Sequence, residues 1–203
     1  MNVLCIGDVV GSAGCRFLRA RLPMLKKLKG VDVTIVNGEN SADGNGITPD
    51  SAEFLFASGA DVITTGNHCF RRKECYDMFE EEEALLRPAN FPKRAPGHGV
   101  CVVDRGRIQV GVVNLMGTVY LDSLASPFDV MDTLLDAGDL PRITIVDFHA
   151  EATGEKRALG FYLDGRISAL FGTHTHVPTA DECVLPKGCL LYTSTKRQAA
   201  RSC

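Results

Sequence analysis

Short runs of aliphatic and β-branched residues alternate with longer amphipathic stretches along this chain. The apolar runs fall at residues 2–7, 31–36, 61–65, 99–103, 108–115, 143–148 and 167–172. Each has the length and composition of a buried strand. Between them, helical patterns cover residues 13–28, 49–58, 71–82, 128–137 and 153–163. Thr48 followed by Pro49 supplies a start signal for the second helix, because a threonine cap with proline at the first helical position suits an N-terminus. This alternation predicts an α/β protein with a largely parallel, buried sheet. One interruption stands out: "GVCVVDRGRIQVGVV" joins two strands through Asp104, Arg105 and Gly106, too short a link for a helix. A hairpin is expected there, and with it a mixed sheet or two sheets face to face.

Length and composition narrow the class. With 203 residues, 45% of them hydrophobic, the chain is long enough for one domain whose core needs no metal or disulfide to hold it. A formal net charge of -3 provides no general basic surface for nucleic acid, so any RNA contact must be local. The eight cysteines form no C-x-x-C pair, and several sit inside apolar runs such as "VLCIG", so they read as buried, reduced thiols. No apolar stretch approaches the length of a membrane span, and no leader pattern opens the chain. The expected compartment is cytoplasmic, with no membrane association.

The chemistry lies in the polar residues that close the strands. Asp8 follows the first run, Glu39 and Asn40 the second, and Asn67 and His68 the third. His149 follows "VDF", and His174 and His176 follow "ALFG". Each alone has an ordinary reading as a turn, cap or hydrogen-bonded structural residue. Together, five strands deliver carboxylates, amides and imidazoles to their carboxyl ends, where open α/β sheets build their sites. A shared metal site is expected. His174 and His176 are two positions apart, so in a strand both rings would project from one face. His98, in "APGHG", is expected outside the site as a surface loop residue, and the acidic run at 80–83 as a solvated helix end. Asp147, Glu151 and Asp181 flank the histidines as candidate acceptors for imidazole N–H groups or as caps. "NSADGNGIT", with Gly44 and Gly46, reads as a flexible loop beside Asn40 or an ordinary strand-to-helix turn.

Other site types are excluded. "GDVVGSAG" lacks the second glycine of a dinucleotide fingerprint and the Gly-Lys-Ser/Thr of a P-loop. "HAE" at 149–151 has no P-C-x-x-C to complete a zinc deaminase, and H-E-x-x-H is absent. Because every candidate ligand is an oxygen or nitrogen donor, the set suits iron, manganese or zinc rather than a thiolate-bound metal.

"IGDVVG", "VNGENSADGNGIT", "TTGNHCF", "LLRPANFP" and the segment from "VDFHAE" to "THTHVPTADE" together resemble the bacterial YmdB family of calcineurin-like metallophosphoesterases. The resemblance covers residues 1 to about 188. It implies a four-layer α/β/β/α sandwich and a dinuclear centre that hydrolyses phosphodiesters, including 2',3'-cyclic nucleotides or short RNA ends, by attack of a metal-bridged hydroxide. Carried over by position, Asp8, Asn40 and His176 hold one ion, Asn67, His149 and His174 the other, and Glu39 bridges them. His68 is then the proton donor. Most of the wider superfamily opens with Asp-x-His; Val10 stands at that histidine here, and Asn40 supplies the missing ligand. Two ions, iron or manganese with zinc and magnesium as the other candidates, are implied, together with a nucleotide or phosphodiester substrate and a homo-oligomer. The alternatives are a phosphomonoesterase and a metal-binding regulatory protein whose hydrolysis is incidental.

The chain leaves the family pattern at Cys189. "CLLYTS", residues 189–194, matches one reading frame of a common transposon-derived sequencing adapter. The last nine residues have no apolar periodicity and carry three of the 22 basic residues. The expectation is one metallophosphoesterase domain over 1–188, shortened at its C-terminus, and a non-native or disordered tail over 189–203.

Overall fold

The computed structural model describes residues 1–194. In chain order the elements are β1 (Val3–Ile6), α1 (Gly11–Lys29), β2 (Val33–Asn37), α2 (Pro49–Ala57), β3 (Val62–Thr64), a 3₁₀ turn (Lys73–Cys75) and α3 (Tyr76–Glu81). Next come β4 (Leu85–Leu86), β5 (Val100–Asp104), β6 (Gln109–Met116), α4 (Pro127–Ala137), β7 (Ile143–Ala150), α5 (Thr153–Tyr162), β8 (Ala169–His174), β9 (Cys183–Val184) and β10 (Leu190–Tyr192). All seven expected strands form. So does the hairpin: β5 pairs antiparallel with β6, Asp104 opposite Gln109.

The strands form two sheets. The first runs β1-β2-β3-β4 and is parallel throughout; the second runs β5-β6-β7-β8-β10-β9 and is mixed. Alternation along β2 shows how the sheets are packed. Val33 and Ile35 share a cluster with Val110, Val112, Ile145 and Phe171 of the second sheet, whereas Val36 packs with Leu18, Leu22, Leu55 and Phe79 of the helices. The second sheet's other face, with Val113, Leu115, Val146 and Phe148, meets Met131 of α4 and Leu159 of α5. Each of these buried side chains contributes about 1.5–3 kcal/mol, which is why the sheet faces, and not the helices' own propensities, fix the arrangement.

Helix ends follow their sequence signals. Thr48 caps α2 in a reciprocal box with Ser51, and Pro49 occupies the first turn. α1 ends at Gly30, in the left-handed conformation (φ 58°), with Lys26, Lys27 and Lys29 near its carbonyl end. The helix expected over 71–82 is shorter. Arg71 and Arg72 are held by His68 and Asn45, through the Arg71 N–H to the His68 carbonyl and Arg72 Nε to the Asn45 carbonyl. A 3₁₀ turn therefore precedes a helix of only six residues.

Part of the segment expected as a non-native or disordered tail is a strand. Leu190–Tyr192 form β10, in parallel register with Ala169–Phe171 of β8, and Leu191 is fully buried in the α4/α5 cluster. Gly160 of α5 makes room for it: a Cβ there would come within 2.8 Å of the Leu191 side chain. An unpaired edge of β8 and an apolar Leu-Leu-Tyr run suffice for this pairing, whatever the run's origin. Residues 195–203 lie outside the described residues. Cys183 also departs from expectation, because it is exposed while Cys15, Cys69, Cys75 and Cys189 are buried and free. Among the described residues, no helix is long and apolar enough to cross a membrane.

Candidate metal centre

Parallel pairing within each sheet sends the carboxyl ends of β1, β2, β3, β7 and β8 to a common edge, and the chemistry-bearing residues collect there. Asp8 and Glu39 are buried at 5% and 1% exposure, and His149 is fully buried. His149 lies within β7 and not after it. His174 is the last residue of β8, and its N–H donates to Asp8 Oδ2 at 3.1 Å, tying the ends of β8 and β1 together across the two sheets.

The convergence is densest around His149 Nε2. Asn67 Oδ1 is 3.0 Å away, His174 Nδ1 3.1 Å and Glu39 Oε2 3.3 Å. Donor atoms of Glu39, His149 and His174 lie within 4.8 Å of one another. A single ring nitrogen has one lone pair or one proton, so it cannot satisfy three acceptor-type atoms at once. A cation between them would.

The other ring nitrogen shows which form of His149 is present. His149 Nδ1 is 2.9 Å from Thr173 Oγ1, and that hydroxyl donates to Asp147 Oδ1 at 2.7 Å. Having given its proton to the carboxylate, Thr173 accepts from His149 Nδ1–H. With the Nδ1 proton so held, the neutral ring turns its Nε2 lone pair to the centre, which is the form a metal ligand needs once the Nε2 proton is displaced. Asp147, itself fully buried, also accepts from Thr64 Oγ1 and from Asn37 Nδ2 (3.0 Å) through Oδ2. Burial pushes its carboxyl up to about 6, against the opposing effect of those hydrogen bonds and of His149.

A second group forms beside the first. His176 Nε2 is 3.1 Å from Asp8 Oδ1, yet that oxygen is buried without a hydrogen bond. A buried carboxylate oxygen whose neighbour is an imidazole nitrogen outside good hydrogen-bond geometry is a position that a cation would satisfy. Asn40 Nδ2 donates to Glu39 Oε1 at 2.8 Å, and Asn40 Oδ1 lies 2.9 Å from His68 Nδ1. Because the amide oxygen accepts only, the proton of His68 sits on Nδ1. Burial works to raise both carboxyls, but His149 and His68 hold Glu39, and His176 and His149 hold Asp8, below the usual carboxylate range. The His149 imidazole is desolvated yet held above its ordinary value, chiefly by Glu39, and burial with the His149 charge lowers His174.

His174 and His176 leave the strand at once, with φ of 88° and 47°. A positive φ away from glycine costs on the order of 1–3 kcal/mol and persists only where surroundings enforce it. Here it turns the two rings to different partners, His149 and Asp8, rather than leaving them side by side. The residue between them is anchored from below: Lys156 Nζ donates to Thr175 Oγ1 at 3.1 Å, and Thr175 shares a 2.7 Å hydrogen bond with Ser194. Lys156 is fully buried and has no carboxylate within ion-pair distance among the described residues.

The flanking acids separate by role. Glu151 Oε2 is 3.0 Å from His174 Nε2, and Asp147 reaches His149 through Thr173. Asp181 instead binds Thr179 and Thr193, away from the imidazoles. His98 is exposed and outside the centre. Sequence reasoning missed Asn37, Thr64, Thr173, Lys156 and Gly66. The only signal for the first was an asparagine closing an otherwise apolar strand.

Burial lowers the Lys156 ammonium to about 8, with Asp8, Asp147, Glu151 and Asp181 acting in the opposite direction. The unfolded chain then holds more protons than the folded one between about pH 8 and the ordinary lysine value, so stability rises with pH across that window. Lys156→Met, which keeps the volume, is expected to abolish this alkaline rise. Melting temperatures of both proteins from pH 7 to 10 test it; parallel profiles would contradict the buried charge.

The chain is similar to known proteins in sequence and in fold. A Bacillus subtilis 2',3'-cyclic-nucleotide 2'-phosphodiesterase is 47% identical over 189 residues, 93% of this chain and 72% of that protein. A crystal structure of a hypothetical protein from Thermus thermophilus superposes with a TM-score of 0.92 at 42% identity, over 97% of this chain and 76% of the other. A novel phosphatase from Mycoplasma pneumoniae gives a TM-score of 0.90 at 35% identity, over 96% and 71%. The model of the YmdB-like protein family matches residues 4–196, and the chain belongs to that family.

Proposed function

We propose that the protein is a dinuclear metal-dependent phosphodiesterase acting on 2',3'-cyclic nucleotides or short RNA ends. The observation that carries the proposal is the convergence of Asn67, His174 and Glu39 on the His149 Nε2 lone pair, in a chain 47% identical to a 2',3'-cyclic-nucleotide 2'-phosphodiesterase. The donor set fits the metals. Asn67, His149 and His174 would hold one ion, Asp8, Asn40 and His176 the other, and Glu39 has two oxygens to span them. Asn40 Oδ1 retains a lone pair beyond its contact with His68. Neutral nitrogen and amide donors with two carboxylates suit iron or manganese, and also accommodate zinc or magnesium. When bound, a pair of such ions supplies positive charge that offsets the phosphoryl negative charge and Lewis acidity toward its oxygens.

The chain's own residues do the rest. Only Asp8 and Glu39 are anionic in the proposed ligand set, so the site keeps a net attraction for a phosphodiester. Asp147 and Thr173 keep His149 in one tautomer; Lys156 and Thr175 hold the turn that separates His174 from His176. Asn40 accepts the Nδ1 proton of His68, so the imidazolium form of the ring would carry a second proton, on Nε2, to deliver to the departing ribose oxygen. His68→Ala is expected to lower turnover about 100-fold with metal content unchanged. Loss of metal in that variant would refute the proton-donor role.

The similarity to the Mycoplasma pneumoniae phosphatase favours a second reading, phosphomonoester hydrolysis. Turnover of 2',3'-cyclic AMP, bis(p-nitrophenyl) phosphate and p-nitrophenyl phosphate with manganese or iron distinguishes the two. Preference for the monoester would replace the first reading with the second, and no turnover at full metal loading would leave a metal-binding regulatory protein.

The remaining architecture accords with the same assignment. The two facing sheets, each covered by helices on its other side, support a four-layer α/β/β/α sandwich forming one domain over residues 1–188, to whose second sheet β10 is added. The free buried thiols support a cytoplasmic setting, and a homo-oligomer is inferred from the family. The adapter-like "CLLYTS" supports a non-native origin for residues 189–203, although it has found a strand to pair with. Resequencing the source locus tests that origin.

A further inference from the structure

A buried cation remains that the metal centre does not use. Arg87 follows β4 at 6% exposure, and its guanidinium donates to two carbonyls, Pro96 at 3.2 Å from Nε and Pro88 at 2.9 Å from Nη1. Nη2 has no hydrogen bond, and no carboxylate lies within ion-pair distance of the group among the described residues. A largely buried guanidinium with no carboxylate in direct contact is unusual, because its charge is costly to bury. Arg87 lines a cavity of about 540 Å³ together with Lys93, Arg94 and His98, against a single carboxylate, Glu80. The cavity lies in the "RPANFPKRAPGHG" segment and not among the residues that form the metal centre.

A second cavity of about 410 Å³ adjoins it through His98, Val100 and Leu134. Its character differs: Val102, Ala137 and Leu140 line it as apolar residues, together with the acids Glu83 and Asp139. The pair therefore offers a cationic end and an apolar end joined by shared residues. Arginine's planar fork suits phosphate oxygens, and drug-sized ligands bind where a few charged groups adjoin an apolar surface.

We propose that these adjoining cavities form a binding site for a nucleoside monophosphate, distinct from the metal centre. Its phosphate lies against Arg87, Lys93 and Arg94, and its base lies on Val102 and Leu140. Glu83 and Asp139, which line the same cavity, accept from ribose hydroxyls or base amino groups. This site does not depend on the phosphodiesterase reading, since none of its residues belongs to the proposed ligand set.

Titration calorimetry of AMP and of inorganic phosphate into the full-length, metal-loaded protein tests the proposal. Lys93→Ala/Arg94→Ala changes exposed side chains only, which avoids the structural carbonyl contacts of Arg87. The wild-type protein is expected to bind AMP at least about 10-fold more tightly than inorganic phosphate. The double variant should weaken one class of AMP site about 10-fold or more while cyclic-nucleotide turnover stays unchanged. Val102→Glu, at a side chain 45% exposed, should weaken AMP and leave phosphate binding unaltered. Identical AMP isotherms for the wild-type and double-variant proteins, or equal affinity for AMP and phosphate, would overturn the site. Failure of the phosphodiesterase reading would instead appear as absent turnover with the AMP isotherms intact.

Discussion

Gly66→Ala is expected to empty the metal centre and lower phosphodiester turnover by about 10,000-fold or more. A Cβ at this position would lie 2.1 Å from His149 Cδ2, 2.3 Å from Nε2 and 2.4 Å from Cγ. Real Cβ atoms do not approach a ring this closely, so something must move. The ring cannot slide along its plane, because Nδ1 is held by Thr173 and His149 is fully buried. Backbone movement of the β3 end carries Asn67 away, and rotation of the ring removes Nε2 from Asn67, His174 and Glu39. Either response breaks the convergence. Overpacking a filled interior costs on the order of 1–3 kcal/mol in addition, so the variant should also melt several degrees lower. Gly154→Ala is the control: a Cβ there meets nothing within 4 Å, and it lies in helix α5. Metal analysis, melting temperature and turnover of the two variants check the claim. Full metal content in Gly66→Ala would show that His149 is not a ligand.

This dependence on a glycine also shows where sequence reading reaches its end. Asp8, Glu39, Asn67 and His174 were legible because each is a polar residue interrupting or closing an apolar run, and parallel strands send such residues to a common edge. Strand partners at that edge follow from the fold class alone. Gly66 carries no such mark: its need for hydrogen in place of a methyl group comes from a histidine 83 positions later in the chain. Lys156 reads as a surface lysine in "TGEKRALG", and only the return of β8 and residues 193–194 over α5 buries it. Asp181 followed the other of its two readings, a structural acceptor. It is close in sequence to His174 and His176, but Thr179 and Thr193 take its oxygens. Two strands were too short to leave a period, β4 with Leu85–Leu86 and β9 with Cys183–Val184. They are specified by open ladder positions on β3 and β10, information that no window along the chain contains.

Asp147→Asn isolates a single proton. The carboxylate accepts three hydrogen bonds, Thr173 on Oδ1 and both Thr64 and Asn37 on Oδ2. Asparagine has one oxygen, which is best placed where two donors converge, on the Thr64 and Asn37 side. Its NH₂ then faces Thr173 and donates to the hydroxyl. Thr173 must turn its own proton to the remaining neighbour, His149 Nδ1, and the ring's proton is driven to Nε2. That tautomer puts N–H where a metal ligand needs a lone pair. The substitution is nearly isosteric and removes a charge from a fully buried site, so the fold should survive and the melting temperature change little. Turnover should fall by about 10,000-fold, the scale expected when a catalytic imidazole is held in its wrong tautomer. Metal affinity should fall about 10- to 100-fold or more. Nitrogen-15 chemical shifts of the histidine ring, followed in the metal-free protein to a pH at which the ring is neutral, report the tautomer directly, Nδ1–H in the wild type and Nε2–H in the variant. A wild-type-like ring signal and metal content in Asp147→Asn would break the link from Asp147 through Thr173 to His149. Asp147→Leu, which can donate nothing to Thr173, should lose less of the Nδ1–H form than Asp147→Asn does, even though it removes more hydrogen bonds; that ordering is opposite to what mere loss of structure would produce.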